Sequence, residues 1–298
     1  MNFQLAANTA QRWLRRNWPA KTPFSQDDEG VAIVFINYNT FDLTASLLFS
    51  IFRVLERKAV TRIVAVDNYS TDGSRELLGH FAAAGMLDLI ANRRQHYHGP
   101  AINQAIAFLA AQQRKAPSTP GIRYIWILDS DIILLRSGVI GDAVQFLKAQ
   151  NAAAIGQFQH DALTEGYAHI SSLLIDPAKA WQRRIAPFEN SGAPAANFQE
   201  SLRRHGYLVS DFPFRTGRYL LHLTRGTLRS IYHQSDRENL YYQWATTHSE
   251  HHYHGDSNGR LIHQSFLDVF NREVPELSME ALLAACKKLE RVVVPLPG

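Results

Sequence analysis

From residue 31 to residue 135 the chain alternates between two hydrophobic periods, and few folds can use that alternation. Four short apolar stretches, at 31–36, 62–66, 87–90 and 124–128, are too brief for helices and read as strands buried on both faces. Between them the spacing becomes helical: Leu43, Leu47, Leu48, Ile51, Phe52 and Leu55, then residues 74–84, then Ile102, Ile106 and Leu109. The connections are short and carry no hairpin signal, so the strands must pair in parallel through helical crossovers. The expected fold is α/β, a Rossmann-like, mostly parallel sheet flanked by helices. The loops that start at Asn37, Asp67, Asn92 and Asp129 then lie side by side, at the strand ends where open α/β sheets bind ligands.

Local punctuation supports this division. Thr40 or Asp42 is expected to cap the first helix, and Pro100 suits the first position of the third. Beyond a helix at 141–149 the rhythm changes. Strands are expected at 153–156 and 171–175, a short helix at 176–181, an amphipathic helix ending near Arg204, and extended segments at 207–214 and 218–223. From Arg225 onward the chain reads as helical around a His-rich loop, with a last amphipathic helix at 278–289. Three regions follow: an N-terminal helical extension (1–29), a main domain (30–225) made of halves 30–135 and 136–225, and a helical C-terminal subdomain (226–298).

Chemistry enters at the end of the fourth strand. Asp129 and Asp131, separated by Ser130, follow the apolar run directly. Two acids so placed repel each other unless a cation joins them, and their oxygens suit Mg2+ or Mn2+. An acidic turn in which one Asp caps the next helix is the simpler alternative. Composition narrows the partners. Of 298 residues, 46% are apolar and 19% charged, as in an ordinary globular protein, and a net charge of +4 is too mild to announce nucleic-acid binding. No apolar run reaches the ~20 residues of a membrane span. The start has no signal-peptide core, and the single Cys286 has no partner for an internal disulfide. The expected location is therefore the cytoplasm. The Arg- and Trp-bearing segment 11–18 offers two readings, a helix packed on its own domain or a weak contact with the inner face of a membrane.

Four features on one edge, Asn37-Tyr38-Asn39, the Asp67–Gly73 turn, residues 92–103 and Asp129-Ser130-Asp131, resemble the donor half of family-2 glycosyltransferases of the GT-A fold. The resemblance is good over residues 31–135. It implies an enzyme that moves a sugar from a nucleoside diphosphate sugar to a hydroxyl acceptor with inversion at the anomeric carbon, using a divalent metal, Mn2+ or Mg2+. It assigns the donor to Asn37, Tyr38, Asn39, Asp67, Asn68, His98, Gly99, Asn103, Asp129, Ser130 and Asp131, with Asp67 facing the base or ribose. It assigns the metal to Asp129 and Asp131, with His222 completing the shell, although a His satisfied at a strand end is the alternative.

The second half departs from the family pattern. Before the Gly206-Tyr207 dipeptide, the place of an acidic pair is held by Pro194-Ala195, with Asn197 where another acid is frequent. The base that deprotonates the acceptor is left among Glu189, Glu200, Asp211 and Asp161. His248, His251, His252 and His254 have no standard zinc spacing and read better as a polar flap than as a second metal site. Two further readings compete: a non-catalytic nucleotide-sugar-binding protein, supported by the missing acidic pair, and an Asp-x-Asp phosphatase. In such phosphatases the acidic strand opens the domain, whereas here three strand–helix units precede it.

Overall fold

The computed structural model describes residues 24, 30–115, 121–158, 166–182, 184–189, 194–223 and 258–296. The expected N-terminal extension apart from Phe24, Asp161 and the His-rich loop lie outside the described residues. Nine strands and eight α-helices are seen among the rest. The strands are β1 (Gly30–Asn37), β2 (Val60–Asp67), β3 (Asp88–Ala91), β4 (Ile122–Asp129), β5 (Ile132–Leu134), β6 (Ala154–Phe158), β7 (Ala168–Ile175), β8 (Val209–Asp211) and β9 (Leu220–His222). The helices are α1 (Phe41–Val54), α2 (Ser74–Ala83), α3 (His98–Lys115), α4 (Val139–Ala149), α5 (Pro177–Ala180), α6 (Ala196–Arg204), α7 (Gly259–Glu273) and α8 (Met279–Lys287).

Seven strands form one sheet in the order β3-β2-β1-β4-β7-β6-β8. All neighbours of β1, β2, β3 and β4 within that group pair in parallel, and β7 alone runs against its neighbours β4 and β6. Because side chains alternate across a strand, β1 feeds two cores. Val31, Ile33 and Phe35 join α1, α2, α4, α7 and α8 on one face. Ala32, Val34 and Ile36 join α3, α5 and α6 on the other. The sheet is therefore covered on both sides, which is why its central strands carry no polar alternation.

The register aligns the functional edge. Asn37 pairs with Asp67, Asp67 with Ala91, and Ile36 with Asp129. The four loops thus leave the sheet at one level, as expected. One element escaped the sequence reading: β5 pairs antiparallel with β9 in a separate two-stranded sheet, setting Ile132 opposite His222.

Helix starts differ from expectation. Thr40 makes no side-chain cap bond on α1. Instead the N–H of Phe41 donates to Asp72 Oδ2 at 2.8 Å, while Asp72 Oδ1 accepts the Ser74 N–H at 3.1 Å. One carboxylate thereby holds the first turns of α1 and α2, because the Thr40 hydroxyl is drawn inward to Asn37. Helix α3 begins at His98, two residues before Pro100.

Candidate active site at the carboxyl edge of the sheet

Asn37 is the hub of the nucleoside side. Its Nδ2 lies 3.0 Å from Asp67 Oδ1, 2.9 Å from Ser70 Oγ and 2.8 Å from Ser74 Oγ. Its Oδ1 accepts the hydroxyls of Thr40 at 2.8 Å and Thr44 at 2.7 Å. The residue is fully buried, so it positions its neighbours and presents no free polar atom to solvent. Asp67 is also fully buried. Its Oδ2 receives Arg75 Nε at 2.7 Å and the Ser70 N–H at 3.3 Å. Asn39 stands in the left-handed region, φ 51°, which asparagine tolerates. Its Oδ1 accepts the Thr71 N–H at 2.8 Å, and Tyr38 beside it is half-buried. Asn68 grips the next loop: Oδ1 accepts the His96 N–H at 2.8 Å and Nδ2 donates to the His96 carbonyl.

At the acidic pair, Thr40 Oγ1 lies 3.1 Å from Ser130 Oγ, so Ser130 turns into the buried network between the two acids. Asp131 and His222 are almost completely buried, with His222 Nε2 3.3 Å from Asp131 Oδ1. His98 Nε2 approaches Asp129 Oδ1 to 3.4 Å without hydrogen-bond geometry, and neither of these two buried atoms has a hydrogen-bond partner among the described residues. Burial pushes the Asp129 carboxyl above its ordinary range, and the charge of Asp131 adds to this against the pull of His98 and His222. One ligand atom from each of Asp129, Asp131 and His222 falls within 4.8 Å of the others. Two carboxylates and an imidazole drawn together while one oxygen lacks a bond form a donor set that fits Mn2+ or Mg2+.

The structure adds His169, on β7, whose ring centroid stands 5.2 Å from that of His222. Its Nδ1 accepts the Ser171 N–H at 3.0 Å. Sequence reading missed it because the start of a strand faces the site only when that strand runs antiparallel, and no local pattern announces this.

The remaining expected residues fall into two groups. Gly99 and Asn103 clamp a distant backbone. A Cβ on Gly99 would stand 2.2 Å from the Glu189 carbonyl oxygen. Asn103 Nδ2 donates to the Phe188 carbonyl at 2.7 Å, and its Oδ1 accepts the Phe188 N–H at 3.1 Å. Glu189 is thereby docked on the first turn of α3, next to His98, and its Oε2 accepts Asn197 Nδ2. Glu200 and Asp211 are engaged elsewhere. Glu200 accepts Arg204 Nε at 2.9 Å and faces Tyr167 Oη at 3.3 Å. Asp211 accepts the Phe158 N–H at 2.7 Å on β8, three strands from β4 and so roughly 14 Å across the sheet.

A doubly covered, mostly parallel sheet with two carboxylates at its carboxyl edge belongs to the α/β class that places ligands at that edge. The family model for glycosyl transferase family 2 matches residues 32–206, more than half of the chain, and the chain belongs to that family. The seven-stranded, mostly parallel sheet is the architecture expected from that resemblance. No curated protein matches the chain. Among solved structures it is similar to the mannosyltransferase PcManGT from Pyrobaculum calidifontis in complex with GDP-Man and Mn2+, at 17% identity and TM-score 0.49, over 95% of this chain and 92% of that one. It is also similar to glucosyl-3-phosphoglycerate synthase from Mycobacterium tuberculosis, at 13% identity and TM-score 0.44, over 61% and 69%. Similarity to S. aureus TarS residues 1–349 is 15% identity and TM-score 0.42, over 58% of this chain and 55% of TarS. The chain thus spans about half the length of that structure. No helix among the described residues is long and apolar enough to cross a membrane.

Proposed function

We propose that this chain transfers a sugar from a nucleoside diphosphate sugar to a hydroxyl acceptor, with inversion, using Mn2+ or Mg2+ held by Asp129, Asp131 and His222. The observation that carries the reading is the convergence of those three ligand atoms within 4.8 Å beside the aligned loops of β1, β2 and β3. When bound, the metal neutralises charge on the departing diphosphate.

The chain's own residues do the rest. Asn37, Asn68 and Ser130 hold the loops in place. Tyr38 and Asn39 form the nucleoside side, with the buried Asp67 holding Arg75 and the Ser70 turn behind them, and His98 faces the diphosphate beside Asp129. Glu189 is the favoured base, because Gly99 and Asn103 fix its backbone beside His98 at the start of α3 and Asn197 orients one of its oxygens, whereas Glu200 is paired with Arg204 and Asp211 lies three strands from β4. In the transfer step the acceptor O–H proton passes to the Glu189 carboxylate. The acceptor oxygen bonds to the anomeric carbon as the bond to the diphosphate oxygen breaks, and the electron pair leaves with the nucleoside diphosphate. Residues 30–135 serve the donor, and residues 136–225 serve the acceptor.

The test is a calorimetric and turnover screen of UDP-, GDP- and dTDP-sugars with Mn2+. Asp131→Asn should abolish metal-dependent donor binding. Glu189→Gln should keep donor binding and lower kcat by a hundredfold or more. Undiminished turnover in Glu189→Gln would remove the base assignment, and metal-independent donor binding by the parent chain would remove the metal site.

A further inference from the structure

Tyr69 sits where a turn demands a residue that tyrosine serves badly. Asp67 Oδ2 accepts the Ser70 N–H, closing a turn in which Tyr69 takes φ 76°. Glycine or asparagine ordinarily fills such a position, and a bulky aromatic there is strained. Core packing does not explain the choice, because Tyr69 is 48% exposed. Its ring instead stands against Arg75, whose guanidinium carbon is 5.9 Å from the ring centroid. Arg75 is itself fixed, with Nε on Asp67 Oδ2 at 2.7 Å and Nη2 on the Asn92 carbonyl. The ring therefore stands beside the Asp67–Arg75 pair, backed by an immobilised cation and open to solvent over much of its surface. Strain kept at an exposed position points to a task outside folding.

We infer that Tyr69 is a stacking wall for the nucleobase of the donor, a planar heteroaromatic ring lying against its exposed surface. The inference rests on the reading of this edge as a nucleoside diphosphate site. Tyr69→Asn accepts the turn without strain and removes the ring, whereas Tyr69→Phe keeps both the strain and the ring. Each variant and the parent would be titrated with UDP, GDP and dTDP in Mn2+, with pyrophosphate in Mn2+ as the probe that lacks a base. Tyr69→Asn should raise Tm by about 2–4 °C. It should weaken the preferred nucleotide roughly tenfold or more and leave pyrophosphate unchanged, while Tyr69→Phe should match the parent. An unaltered nucleotide Kd in Tyr69→Asn would overturn the stacking role and leave the site standing, as would an equal loss for pyrophosphate. A parent chain that binds none of the three nucleotides would overturn the site and the stacking role together.

Discussion

Asn37 shows how one side chain can organise an edge it need not touch a ligand to serve. Its amide joins β1 to Asp67, Ser70, Ser74, Thr40 and Thr44, and all of these are buried. Removing it leaves several of those groups without partners, each costing about 1–3 kcal/mol if water cannot reach it. Asn37→Ala should therefore lower unfolding free energy by about 2–4 kcal/mol in urea titration, with nucleotide affinity falling in parallel. Asn37→Asp sets a second carboxylate beside Asp67 and should be worse than alanine at neutral pH. That Asn37, Asp67, Asp129 and Asp131 leave the sheet at one edge was legible in the sequence, because each lies where an apolar run ends. That Asn37 and Ser130 face inward was not, since the residue types that position a loop are also the types that bind a ligand.

Elements explain the next level of legibility. Parallel strands declare themselves through unbroken apolar runs, so β1 to β4 and their aligned ends could be read directly. Strand β5 is three residues long, and its partner β9 lies some ninety residues away in sequence. No window contains that pairing, yet it is what brings His222 against Asp131. The contact between α3 and the segment at Phe188–Glu189 is equally non-local. It predicts that Gly99→Ala will act through Glu189: with no room for a Cβ, the 188–189 backbone must shift. Turnover should fall at least tenfold while the donor Kd changes less than threefold, as a KM-against-kcat comparison with a nucleotide titration would show. Losses in donor binding as large as those in turnover would place Gly99 on the donor itself.

At the scale of the whole molecule, the C-terminal helices belong to the same core as the central sheet. Phe270 and Phe266 meet Phe49 edge-on at centroid distances of 5.0 and 5.9 Å. Arg53, nearly fully buried on α1, donates to the Ala285 carbonyl at 2.7 Å and to Glu273 Oε2 at 3.1 Å. Phe270→Ala should cost about 3–5 kcal/mol and destabilise the donor site with the rest, in one cooperative transition. Cys286 reports on the same junction. Burial pushes its thiol up to about 12. The thiol should resist aromatic disulfide reagents in the folded chain and react once urea unfolds it. Its raised value means that the stability it contributes is complete below the ordinary thiol pKa near 9 and is lost as pH rises towards 12. Relative to Cys286→Ala, the parent should therefore lose about 1.4 kcal/mol between pH 8 and pH 10.

The carboxylate of Asp72 carries a last consequence. Each of its oxygens fastens a different helix, α1 through Phe41 and α2 through Ser74. The turn between β2 and α2 is then a hinge pinned on both sides, and neither helix start can swing without breaking the other's fastening. A donor bound as proposed would meet a mould already set, and little of its binding energy would be spent on ordering the wall it touches.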